Sequence, residues 1–265
     1  MSTLQFTVSN DELFFLILLL QLQVFPGFEL DEFRGLKERE LELIIDTAER
    51  SLRAKGYIRG TEKGVEVDPA VVALVGACSV ADISFIVTCT HNDGSTEERY
   101  YHIHLESDII VEHSFPDPDL HTFTELENTH QIATKICAIL GIDNQKAPDC
   151  PPGRVTESII DKAKEIVRAG GSAYELLLQA GVPERTALEL STTIAHPITN
   201  GAFVRIDHST EQVHGFATLE GPNGLWKLTR EGDLGDEHDN SDSYIQVTPI
   251  SGTKLKNEVY SAVLS

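Results

Sequence analysis

The chain has 265 residues, 41% of them apolar, which is enough to bury the core of one large domain or two small ones and excludes disorder for its body. Acidic residues outnumber basic ones 42 to 21, a formal net charge of −21. With no basic stripe to override that field, nucleic-acid backbones and anionic membrane surfaces are repelled.

The first element is "LQFTVS" (4–9), which alternates as a short strand does. The apolar run "LFFLILLLQLQVF" (13–25) is too short to span a membrane. Asp11 and Glu12 stand where a signal peptide would carry basic residues, and no small-residue cleavage site follows. A buried helix is expected instead, opened by the capping-box pattern Ser9 to Glu12 and stopped at Pro26-Gly27. A second helix is read over 36–55, with Leu41, Ile44, Ile45, Ala48 and Leu52 on one stripe and Gly56 as its stop. Asp68-Pro69 starts a third, a cap residue followed by the proline suited to a first turn.

The period then changes. Four strand-like runs follow at 83–90, 99–105, 108–115 and 120–127, separated by turn chemistry in "HNDGSTEE", "ES" and "PDPD". A helix with Ile132, Ile136, Ile139 and Leu140 inward ends at Gly141. The polar, proline-rich segment 143–154 reads as a linker. Helices are expected near 156–169, from Ser172-Ala-Tyr-Glu175 (again a capping-box pattern) to Gly181, and over 183–194. Four further strands, at 201–208, 213–220, 224–231 and 243–250, and a closing helix at 252–264 complete the chain.

Helix, four strands, helix thus occurs twice. "HLES" (104–107) falls on "TLEG" (218–221), and "TKICAIL" (134–140) on "NEVYSAVL" (257–264). The expected fold is α+β: two similar units, each an antiparallel four-strand meander between helices, related by quasi-two-fold symmetry and preceded by helices. The expected division is 1–142, a linker at 143–154, and 155–265, packed as one compact domain.

Chemistry is sparse. His91, His102, His104, His113, His121 and His130 crowd one stretch. A metal site would use His102 and His104 on one strand face with His113 across the hairpin, and Glu106 or Glu112 in reach. Alternation argues against it. Tyr101, Ile103 and Leu105 would form the core face and leave His102, His104 and Glu106 outward. In the second unit His102 and His104 fall on Phe216 and Thr218, which ligate nothing.

The acidic segment 231–242 lacks the spacing of a calcium loop and reads as a solvated insertion. No G-x-S-x-G, H-E-x-x-H, Walker A or G-x-G-x-x-G pattern is present, and "AGGSA" (169–173) follows a helix and reads as its stop. Cys78, Cys89, Cys137 and Cys150 form no C-x-x-C pair and suit a reducing cytoplasm. No catalytic constellation and no cofactor are expected. "ERSLRAKGYIRG" (49–60) is similar to the recognition helix and wing of a winged-helix regulator, with Arg50, Arg53, Lys55 and Arg59 as its cations. The acidic run "ERELELIID" just before it opposes that reading.

The layout as a whole resembles the EspG family of type VII (ESX) secretion chaperones. The resemblance is carried by "LQFTVSNDELFFLILLL", "GYIRGTEKGVEVDPAVVALVGAC" and "GGSAYELLLQAGVPERTALEL", together with the two sheet units. It covers nearly the whole chain without a signature motif. It implies a non-enzymatic cytoplasmic chaperone that binds the tip of a helical PE–PPE heterodimer and delivers it for export. It also implies contact through the central sheet, the C-terminal helical part and the loop between the second and third strands. Counting "LQFTVS" as the first strand, that loop holds Asn92, Asp93, Gly94, Ser95 and Thr96, and is shorter than the family's. The alternatives are a metal-dependent module on His102, His104 and His113, and the winged-helix regulator. No nucleic acid and no membrane insertion are expected.

Overall fold

Strand β1 (Gln5–Ser9) runs straight into helix α1 (Asn10–Leu19), and the junction is the capping box read from the sequence. The Ser9 hydroxyl accepts from the Glu12 amide (3.3 Å), and the Glu12 carboxylate accepts from the Ser9 amide (2.8 Å). The computed structural model describes residues 3–28, 30–62, 64–232 and 243–265. The fold is α+β. Contacts divide it into two units: Met1–Ser84 with Arg99–Asn128, and Phe85–Glu98 with Thr129–Ser265.

In the first unit α1 is followed by α2 (Asp31–Arg34), α3 (Glu38–Lys55), the hairpin of β2 (Ile58–Thr61) and β3 (Gly64–Val67), and α4 (Pro69–Ser79). β4 (Ile83–His91) lies mostly in the second unit. β5 (Thr96–His104), β6 (Ile109–Asp117) and β7 (Leu120–Leu126) complete the first, in the order β1-β7-β6-β5. Helix α1 is apolar on every side because it is buried on nearly every side: Leu13, Leu16 and Ile17 join Phe25, Leu52, Leu74, Val75, Val111 and Phe123 in one core. Helix α3 is amphipathic and ends where Gly56 takes a left-handed φ of 80°, a conformation that costs a residue with a Cβ. Asp68 caps α4 by accepting from the Ala70 amide (2.8 Å), and Pro69 fills the first turn.

The second unit holds α5 (Thr129–Ile139), β8 (Gly153–Thr156), α6 (Glu157–Arg168), α7 (Tyr174–Gln179), α8 (Glu184–Ala195), β9 (Thr199–Asp207), β10 (Gln212–Gly221), β11 (Gly224–Arg230), β12 (Tyr244–Ile250) and α9 (Gly252–Leu264). Its strands run β4-β9-β10-β11-β12-β8. Trp226, Leu177, Leu190, Ile194, Val155 and Val247 form the core between the sheet and α6–α8. On the other face α5 packs against α9, with Thr134 Oγ1 and Tyr260 Oη 2.8 Å apart. The order helix, four strands, helix occurs twice along the chain, as α4-β4-β5-β6-β7-α5 and α8-β9-β10-β11-β12-α9.

Three local readings change. The stretch read as a linker ends in β8, a four-residue strand whose Val155 lies opposite Ile245 of β12. Ser172 makes no capping box: α7 begins at Tyr174, whose amide donates to the Ser172 hydroxyl (3.3 Å). Helix α5 groups with the second unit rather than with the strands just before it, and packs against α9. The acidic segment read as a solvated insertion lies, over 233–242, outside the described residues.

Glu12 does more than cap. Lys55 Nζ sits 2.6 Å from its carboxylate, tying α3 to the start of α1. Burial raises the Glu12 carboxyl, but hydrogen bonds from Lys55, Ser51 and the Ser9 amide outweigh it and hold the group below its ordinary value. Its contribution to stability is therefore present above the ordinary carboxylate pKa and lost as pH falls through the folded value. Lys55→Ala leaves a buried carboxylate without its cation. Because Lys55 itself is half-exposed, a loss of about 2 kcal/mol is expected in urea unfolding, below that of a fully buried pair.

Candidate functional site

The β4–β5 turn carries the five residues singled out for partner contact. Gly94 supplies the positive φ (83°) that the turn needs. The Asp93 carboxylate accepts from the Ser95 hydroxyl (2.6 Å) and amide (2.9 Å), and these bonds hold its carboxyl below the ordinary value. The His91 amide donates to the Ser95 carbonyl (2.9 Å), and the Asn92 amide to the Ile198 carbonyl (3.1 Å). Thr90 and Thr96 hydroxyls meet at 3.1 Å across the base of the turn. Asn92 to Thr96 are all exposed. The result is a short, braced, polar tip. It can exchange hydrogen bonds with a partner but has no apolar side chain to bury.

Three of the histidines, His102 among them, are not outward. His102 and His113 are fully buried and His121 nearly so. Alternation misled because both faces of β5 and β6 are covered: Tyr101 and Glu112 are buried on one, and Tyr100, His113, Val111 and Phe123 face the α1–α4 core on the other. Burial is tolerated because the rings have polar partners. His102 Nδ1 lies 3.0 Å from the Ser84 hydroxyl, and His113 Nε2 lies 2.8 Å from His121 Nδ1. His104 turns instead to Ser107 at the hairpin end (2.7 Å). Thus His102, His104 and His113 do not converge as a ligand set. Among the described residues no group of three or more His, Cys, Asp or Glu is placed to hold a metal ion.

The basic residues of 49–60 are each engaged. Arg53 pairs with Glu49 (2.6 Å), Lys55 with Glu12 (2.6 Å) and Arg59 with Glu66 (2.9 Å), while Arg50 Nε donates to the Asp46 carbonyl (3.0 Å). Helix α3 and the β2–β3 hairpin do have winged-helix order, but three of the four cations are paired with carboxylates and Arg50 is bonded to a backbone carbonyl. Within 49–60 no cation is left unengaged.

A feature the sequence reading missed lies on the sheet of the second unit. An open groove of ≈ 310 Å³ runs between α6 and strands β9–β12. Its floor is Ala202 and Val204 of β9, Gly215 and Ala217 of β10, Leu228 of β11 and Ile245 of β12. The register makes the depression: Ala217 lies between Ala202 and Leu228, and Gly215 lies opposite Val204, so small side chains sit side by side. Ile160 of α6 forms the wall. Glu157, Asp161, Lys164 and Arg230 form a charged rim, Lys164 paired with Asp161 (3.2 Å) and Arg230 donating to the Ser243 hydroxyl (2.7 Å). The result is an apolar floor inside a polar rim. The signal in the sequence was the run of small residues in "GAFV" and "HGFATL", which acquires meaning only once the strands are in register.

Among the described residues no helix is long and apolar enough to cross a membrane. Residues 28–158, just under half of the chain, match a family model described as "Uncharacterised protein YfjC". No curated protein matches the chain in sequence. Among solved structures the chain is similar to the Mycobacterium tuberculosis type VII secretion system chaperone EspG5, solved in complex with a PE25-PPE41 dimer. The TM-score is 0.64 at 13% identity, over 98% of this chain and 96% of that one. The fold is EspG-like.

Proposed function

We propose that the chain is a non-enzymatic chaperone or adaptor of the cytoplasm that binds a helical secretion substrate, a PE–PPE-like heterodimer, and keeps it soluble for type VII export. The observation that carries this reading is the EspG-like fold, similar end to end to a type VII secretion chaperone solved in complex with a PE25-PPE41 dimer. The groove on β9–β12 supplies a physical means. An apolar side chain at the tip of a helical partner loses water on entering a floor of Ala202, Ala217 and Val204, and the rim at Asp161, Lys164 and Arg230 orients polar groups beside it. Asn92, Asp93, Gly94, Ser95 and Thr96 add polar contacts from a turn whose shape is fixed before binding, so little ordering entropy is lost there. The net charge of −21 on this chain opposes its self-association by mutual repulsion.

Co-expression tests the reading. A helical secretion substrate of the source organism that precipitates alone is expected to become soluble with this chain and to co-elute with it in fixed ratio. If every such substrate precipitates equally with and without the chain, the reading is wrong.

A further inference from the structure

Two of the buried imidazoles of the first unit, His113 and His121, are used by no partner reading, and their hydrogen bonds form a single directed chain. Asn10, the first residue of α1, places Oδ1 2.6 Å from His121 Nε2, and His121 Nδ1 lies 2.8 Å from His113 Nε2. The Asn10 amide nitrogen donates to Asp119 Oδ1 (3.4 Å), which fixes the side chain so that its oxygen faces the ring. An oxygen can only accept. His121 must therefore carry its proton on Nε2 and accept on Nδ1, and His113 must carry its own on Nε2. His113 Nδ1 is left as a bare lone pair with no hydrogen-bond partner, among Phe25, Phe115 and Phe123. Only this one neutral arrangement satisfies the chain.

Over it lies the segment 22–28. Phe25 sets its edge against His113 (5.8 Å), and Phe28 against His121 (5.7 Å). Gly27, at φ 74°, lies so close to the sheet that a Cβ would meet Phe115 at 3.1 Å and Tyr100 at 3.2 Å. The segment is anchored at Leu22, whose amide donates to the Ile17 carbonyl (3.0 Å), and at Val24, whose carbonyl accepts from Ser79 (2.9 Å).

We propose that Asn10, His121 and His113 form a proton-operated latch: with neutral rings they hold the 22–28 strap shut on β6 and β7, and protonation of the pair opens it. A proton on His121 Nδ1 would point at the His113 Nε2 proton, setting two donors face to face where one bond now stands. A proton on His113 Nδ1 would enter a cage of phenylalanines with no acceptor. Neither charge fits the closed state, so acid acts by opening the strap and letting water reach the rings.

Among the described residues neither ring is hydrogen-bonded to a carboxylate. From β5, Tyr100 and His102 face His113; from β7 comes only His121 itself; from the strap come Phe25 and Phe28. Glu112 of β6 points to the opposite sheet face, toward Tyr101 Oη (3.4 Å). Asp119 and Asp11 stand at the outer end, beside Asn10. Burial, and then the imidazoles of His121 and His102, hold His113 well below the ordinary histidine value, and burial brings His121 down to about 4. Open rings titrate near the ordinary ~6.5. Closure is therefore fully favoured above that value and is lost as pH falls from there toward about 4.

Hydrogen–deuterium exchange of the full chain tests this, compared at pH 7.5 and 5.0 after correction for the acid slowing of intrinsic exchange. Strap exchange is expected to rise about 100-fold or more, since two open rings each gain a proton across that interval, while α9 stays unchanged. In His113→Gln/His121→Gln the acid increment disappears. An unchanged strap in the parent chain, a rise shared equally by α9, or an increment retained in the double variant overturns the latch. If that variant does not fold, nitrogen-15 spectra of the parent chain decide. Both rings must be neutral Nε2–H tautomers at pH 7.5, and rings that titrate near 6.5 with the strap closed refute it.

Discussion

Ala217→Glu is expected to weaken client binding by about 100-fold or more while leaving the fold intact. The position lies in the middle of the groove floor, half-exposed, opposite Ala202 on one side and Leu228 on the other. In the free chain the new carboxylate reaches solvent through the open groove, so unfolding should change by less than about 1 kcal/mol. In the complex it must either lose its water against an apolar partner surface or push that surface away. Burying an uncompensated charge costs several kcal/mol, and about 2.7 kcal/mol already corresponds to a hundredfold in affinity. Titration calorimetry with the soluble client reads the binding loss, and urea unfolding reads the stability. Equal binding by the variant would remove the groove from the account.

Trp226→Ala is expected to do the reverse, damaging the fold first and binding only as a consequence. Trp226 is the largest of the fully buried side chains, on the sheet face covered by α8. Its indole N–H donates to Thr193 Oγ1 (3.1 Å), and the ring packs among Leu177, Leu190 and Val247. Truncation removes that burial, leaves a cavity and strips Thr193 of a partner. Together these cost about 3–5 kcal/mol. For a chain of this length that is a melting point lower by roughly 10 °C. Trp226→Phe keeps most of the volume and loses the hydrogen bond, so it should cost about 1–2 kcal/mol. Calorimetric melting of the two variants separates cavity from hydrogen bond.

What the sequence made legible was local. Ser9 with Glu12, Gly56, Asp68-Pro69 and Gly141 mark helix ends because a cap or a left-handed residue is decided within one turn of chain, and all four lie where the reading placed them. The β4–β5 turn was legible in Asn92-Asp93-Gly94-Ser95 for the same reason. What failed depended on distant partners. β8 is a strand only because β12, some ninety residues on, pairs with it. His102 is assigned outward because alternation assumes one wet face, and β5 has none at that point. The grouping of α5 needed the position of α9. The groove needed the register that brings Ala202, Ala217 and Leu228 abreast. Each is a fact about pairing, which composition and spacing do not contain.

Affinity capture of the intact chain from native lysate of its source, with the bound proteins identified by mass spectrometry, tests the central claim most directly. The expected result is a helical secretion substrate in stoichiometric amount on the parent chain and its absence on Ala217→Glu. Recovery of no helical protein, or its equal recovery on Ala217→Glu, would contradict the account.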